Sequence, residues 1–399
     1  MGAALVLHLL AALSLAESTD VSTMLDRLGD ADLVLVNDPL GARPVRVLLA
    51  TRVAASPEKA RQVLIDPASY RKAMPAFRRV EVLTEREREP GLTELDIAWE
   101  LEVPLSNLKG RLWLTPQEHG VALDLDAGDF SPGRFHVTAT REKSGKPNQS
   151  LLCVEGYANL RESNWALRQF LRHSVLAEPA ITLAASYVLL KALAIFIERG
   201  RYERPSAPMK APDMSILHAG RAWRAASLLP PGKAVLGGVR SLADGRLGNV
   251  EVVLDLGTSV ERASGRRLRP EVYRALPGWK KVALESNKPD ACKDVATLCW
   301  AVESSLPLFS LGGTWKIWPR LMRARMVAGE TKDAVMAVDI LPGRSVGSAT
   351  LVLAQQPRIH RAGYVAGKLV AAEPLLEHGL SLALTLLSGV SLGPALEKK

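Results

Sequence analysis

Aromatic residues make up only 5% of this 399-residue chain, so each of its eight tryptophans is expected to anchor packing or wall a pocket. Cysteine is scarcer still. The three present, Cys153, Cys292 and Cys299, exclude a disulfide-rich scaffold, and their spacing fits no zinc pattern. Cys292 and Cys299 can close a small loop in an oxidising compartment, whereas Cys153 in "LLCV" reads as a small buried hydrophobe. The seven histidines lack the H-x-x-x-H or H-E-x-x-H spacing of zinc enzymes. Asp124 and Asp126 share a strand face but lack the other positions of a calcium loop. Neither a metal nor a cofactor is therefore expected. Interleaving of basic and aromatic residues is missing too, which argues against nucleic acid as a partner.

A hydrophobic share of 47% and this length fit a globular chain of two middling domains. The net charge of +9 is uneven: from Ser215 onward 25 Lys and Arg face 15 Asp and Glu, against 26 and 27 before it. The second half is thus expected either to present a solvated basic face or to dock on an anionic membrane surface or partner. The first residues, "MGAALVLHLLAALSLAES", have the apolar run and small residues of a signal peptide cleaved after Ala16, although no Lys or Arg precedes the run. Export, periplasmic or secreted, is expected.

The clearest signal is repetition. "DPASYRKAMPAFRRVEVL", Asp66 to Leu83, returns as "RPEVYRALPGWKKVALE", Arg269 to Glu285. An offset of 203 residues matches Pro67 to Pro270, Tyr70 to Tyr273, Pro104 to Pro307 and Gly110 to Gly313. Matches in one order along both halves indicate a tandem duplication. The boundaries read as a signal segment 1–16, a first repeat 21–200, a Pro-rich linker 201–214 and a diverged second repeat 215–396. Each repeat reads as a strand, two short helices, about six more strands and one long apolar helix, hence an α+β fold. In the first, Ser56 is placed as N-cap with Pro57 at the first helical position, and Pro67 separates the two helices. The long helix is expected from about Glu162 to Glu198, interrupted at Pro179; Lys191 argues against a membrane span.

That order, with the phrase D-P-x-x-Y…P-x-F-x-x-V-x-V-L after the first strand, resembles the START-like helix-grip (SRPBCC) superfamily, nearest to coenzyme Q-binding Coq10 and polyketide-cyclase-like proteins. The resemblance implies, in each repeat, a curved antiparallel sheet of about seven strands around the long C-terminal helix, with an apolar cavity between them. In the first repeat the cavity candidates are Trp99, Trp113, Phe135, Leu183, Tyr187 and Leu190, the last three at helical spacing; Arg78 and Arg79 are candidates for its mouth. Core packing explains the same stripe, and a solvated strand face the same arginines. "GRSVG", Gly343 to Gly347, matches a nucleophile elbow literally, but a strand-like run follows it, so it reads as a hairpin turn. The expected function is binding or transport of a lipid or isoprenoid quinone in the first repeat, with the second as a docking unit. The alternatives are a cyclase- or dehydratase-type enzyme on the same fold, or an interaction module with filled cavities.

Overall fold

The computed structural model describes residues 20–37, 45–89, 92–102, 107–142, 148–160, 163, 168, 177–203, 220–228, 234–277, 279–285, 292, 294, 296–304 and 312–398. The expected signal segment and most of the linker lie outside the described residues.

The first repeat begins with α1 (Val21–Leu28), β1 (Ala31–Asn37) and β2 (Arg46–Val53), followed by α2 (Pro57–Ile65) and α3 (Pro67–Ala73). Six strands follow: β3 (Phe77–Glu89), β4 (Leu92–Leu101), β5 (Leu108–Gln117), β6 (Gly120–Gly128), β7 (Gly133–Arg141) and β8 (Ser150–Ala158). The long helix α4 (Ala177–Arg199) closes the repeat. The second repeat gives α5 (Gly220–Ala226), β9 (Val235–Ser241), β10 (Leu247–Leu256), α6 (Val260–Arg266) and a 3-10 turn, Pro270–Ala275. Then come β11 (Trp279–Leu284), β12 (Leu298–Ser304), β13 (Gly313–Trp318), β14 (Arg323–Gly329), β15 (Val335–Pro342), β16 (Ala349–Gln356), α7 (Tyr364–Ala372) and α8 (Leu375–Glu397).

Local chemistry sets these boundaries. The Ser56 hydroxyl accepts from the Lys59 amide and caps α2, with Pro57 where its missing N–H costs nothing. Asp66 caps α3 in the same way at the Ala68 amide. The repeated phrase then closes each kink identically: the Tyr70 hydroxyl donates to the Leu64 carbonyl at 2.8 Å, and that of Tyr273 to the Arg267 carbonyl at 2.7 Å. Most of the run expected as helix before Pro179 lies outside the described residues, and α4 begins at Ala177. Pro179 lies in its first turn, where no i−4 carbonyl awaits a donor.

The strands form one antiparallel sheet in the order β11-β12-β13-β14-β15-β16-β10-β9-β1-β2-β8-β7-β6-β5-β4-β3. Among the described residues each repeat therefore has eight strands, one more than expected. The additions, β1 and β9, pair with each other from Ala31 opposite Arg240 to Val36 opposite Val235. This pairing fuses the two half-sheets edge to edge. Helices α4 and α8 lie together on the inner face, where a Cβ on Gly379 would stand 2.7 Å from the Ala184 carbonyl. Both are long and apolar enough to cross a membrane, yet about two thirds of each apolar window is buried against the rest of the molecule. One core lies under the first repeat and runs across the seam to Val250 and Leu386; a second fills the second repeat. On the outer face, α1 and α5 cover the junction through Leu25, Leu28, Ala222 and Ala225.

Candidate functional site

Strand alternation decides which candidates face the helices. On β4, Leu95, Ile97 and Trp99 point inward, while Glu94 and Asp96 pair outside with Arg86 and Arg111. Trp99 lies opposite Gly110, and any Cβ there would stand 2.8 Å from its indole. The glycine makes the room that the ring fills. Phe77 meets Trp99 edge-on at 6.4 Å between centroids, and Phe130 lies at 6.2 Å. Trp99 is 7% exposed, and its Nε1–H has no hydrogen-bond partner. An unpaired buried donor of this kind costs about 1–3 kcal/mol.

Phe135 also faces inward, on β7, and Leu183, Tyr187 and Leu190 line the buried side of α4. Trp113 does not join them. Its neighbours Leu112 and Leu114 turn to the core, so Trp113 sits on the outer face beneath the Arg86 guanidinium, 4.3 Å from the ring centroid. Arg78 and Arg79 are exposed and engaged, Arg78 as a two-pronged pair with Glu102 at 2.6 and 2.7 Å, Arg79 with Glu81. Ser345 sits in the turn between β15 and β16, closed by the Gly343 amide on the Ser348 carbonyl, with a strand and no helix after it.

A polar cluster at the seam went unread in the sequence. Asp32, 5% exposed on the inner face of β1, accepts from Thr51 at 2.5 Å, Tyr187 at 2.7 Å and Lys191 at 3.1 Å. His378, 2% exposed on α8, stacks on Tyr187 at 6.2 Å with 13° between the rings, and neither ring nitrogen has a partner. Burial, and then the Lys191 charge, push its pKa down to about 4; burial and then Asp32 push the Tyr187 phenol well up. The cluster thus binds elements of both repeats around one carboxylate. Its only sequence sign is Lys191, a charge inside an apolar helix.

No known protein-family profile and no curated protein matches the sequence. Among solved structures, the di-domain ARO/CYC StfQ from the steffimycin biosynthetic pathway is 12% identical, with 86% of this chain and 97% of that one covered at a TM-score of 0.26. The Zhui aromatase/cyclase from a Streptomyces species is 15% identical over 39% of this chain and 93% of its own, TM-score 0.30. A STAR-related lipid transfer protein from Xanthomonas axonopodis is 17% identical over 42% and 94%, TM-score 0.31. These are distant likenesses of fold, and at such scores they carry no argument about function.

Proposed function

We propose that the chain binds a hydrophobic or amphipathic small molecule, of the lipid or isoprenoid-quinone class, on the inner face of the first repeat. One observation carries the reading: the Trp99 indole N–H is buried without an acceptor beside the rings of Phe77 and Phe130. An apolar wall with one directed donor suits an apolar body that ends in a carbonyl or ester oxygen. The Coq10-like phrase in the sequence supports a quinone within that class. The Cys292–Cys299 disulfide supports an oxidising compartment and hence export, and the basic second half supports docking on an anionic membrane. Native mass spectrometry after gentle purification, with thermal shifts against lipids and quinones, tests the reading. A bound species, or a raised melting temperature that Trp99→Phe reduces, is expected. A chain that is always empty and never shifts overturns it.

A second reading, a cyclase- or dehydratase-type enzyme, has one observation in its favour: Asp32, Tyr187, Lys191 and His378 converge within the core. Against it, Asp32 already accepts from three side chains, as a structural carboxylate does. A Tyr187→Phe variant that keeps ligand binding but loses turnover would establish the enzyme; one that loses only stability would dismiss it.

A further inference from the structure

The 203-residue offset that carries Gly110 to Gly313 also carries Pro116 to Pro319, Gln117 to Arg320 and Glu118 to Leu321. The first repeat closes β5 and β6 with a polar turn, in which Gln117 pairs with Gly120 and the Glu118 side chain is 88% exposed. The second closes β13 and β14 with Pro319, Arg320, Leu321 and Met322, between the paired Trp318 and Arg323. An acid in water has become a leucine in water, 64% exposed, beside a newly acquired and exposed arginine.

The turn holds Leu321 outward. Its amide donates to the Trp318 carbonyl at 3.2 Å, and its carbonyl accepts from the Arg323 guanidinium at 2.9 Å. Met322 takes left-handed backbone, φ 47°, with its side chain in the core of the second repeat and its carbonyl accepting from the Val338 amide at 3.0 Å. One exposed leucine is ordinary on a protein surface. This one has company. Leu284 ends β11 at 59% exposure, and Val346 is fully exposed in the turn between β15 and β16. Pairing of Leu284 with Trp300, Leu298 with Ile317, Arg323 with Ala337 and Pro342 with Ala349 puts all three at one end of the half-sheet. They are three of the four most exposed large hydrophobic side chains among the described residues. Two cations accompany them. Lys316 lies 5.3 Å from the centroid of the Trp318 ring, and neither it nor Arg320 has an acidic partner among the described residues.

We infer that the Pro319–Met322 turn is where the second repeat docks on an anionic bilayer. Leu321 enters the boundary between headgroups and acyl chains, Trp318 lies at headgroup level, and Arg320 and Lys316 meet lipid phosphates. Leu284 and Val346 widen the contact on either side. That the second repeat docks at all rests on the reading proposed above; where it docks comes from the turn. Divergence of the second repeat is then the replacement of a solvated acidic turn by an anchoring one.

The full chain is mixed with vesicles of phosphatidylcholine, alone or with an equal part of phosphatidylglycerol, and bound protein is measured by flotation. The wild type should float with the anionic vesicles. Arg320→Gln/Leu321→Glu, which installs the residues of the first repeat, should bind at least about tenfold more weakly, since burial of a leucine and attraction of an arginine are both lost. Both side chains are exposed, so the melting temperature should not change. Leu321→Ser alone should weaken binding with every charge in place. If Leu321→Ser binds as the wild type does, the contact is one of charge alone, as with an acidic protein, and the inference is overturned. It is also overturned if the double variant floats as well as the wild type, in which case docking stands but belongs to another face. A wild type that never floats removes the docking reading together with this one. Small-molecule binding by the first repeat, followed in the same variants by native mass spectrometry, is judged separately from all of these.

Discussion

Lys191 is the one charge in α4 between Glu178 and Glu198, and it lies 3.0–3.1 Å from Asp32 in the core. Truncating one member of a buried pair strands the other, so Asp32→Ala should cost about 3–5 kcal/mol in urea unfolding. Lys191→Met added to Asp32→Ala should then cost far less than Lys191→Met alone, because the partner is already gone. His378 links this cluster to pH. Its folded pKa of about 4 lies below the ordinary 6.5, so between those values the unfolded chain holds more protons. Its contribution is complete above pH 6.5 and is lost as pH falls toward 4, at up to about 1.4 kcal/mol per unit. Burial raises Glu155 and Glu251, which gives the opposite slope: their contribution is present below the unfolded value and lost as pH rises. The readout is therefore the difference between wild type and His378→Gln, whose urea midpoints should converge as pH falls. A constant difference would disprove the assignment. At this scale the sequence revealed the inward residues of regular periodicity, Leu183, Tyr187 and Leu190. It hid Asp32, since a single acid in a strand looks the same whether it meets solvent or a lysine 159 residues away.

Among the elements, the α4–α8 crossing depends on one absent side chain. Alanine is the better helix former by about 1 kcal/mol, yet at Gly379 its methyl would meet the Ala184 carbonyl at 2.7 Å. Gly379→Ala should therefore lower the melting temperature despite its propensity, and Gly379→Val should lower it further. A rise would mean that the helices do not cross there. The α2–α3 kink was legible because capping, N1 proline and repeated tyrosine are local signals that tertiary packing has no reason to override. Strands β1 and β9 were not. "ADLVLVN" is covered on both faces, by α1 on one and α4 on the other, so it lacks the alternation that marks a half-buried strand. Gly237 and Gly238 weaken the propensity of β9 further.

For the whole molecule, the duplication was plain in the sequence, but the way its halves meet was not, because edge pairing leaves no motif. The cores of the two repeats meet at the seam, and Leu382 and Leu386 of α8 pack into the first. Calorimetry should accordingly show one cooperative transition for the full chain, and residues 20–203 expressed alone should self-associate through the bared β1 edge in size-exclusion chromatography. Two separate transitions, or a well-behaved monomeric fragment, would contradict this. The β1–β9 pairing also decides what the sheet leaves open. Two unjoined half-sheets would present four edges to other chains; among the described strands this one ends at β3 and β11. Those two carry "RRVEVLTERERE" and "WKK", so an approaching copy meets alternating and basic charge where it would need to pair. Sixteen strands in one sheet are thereby kept from growing into a fibre by the chemistry of their two outermost members.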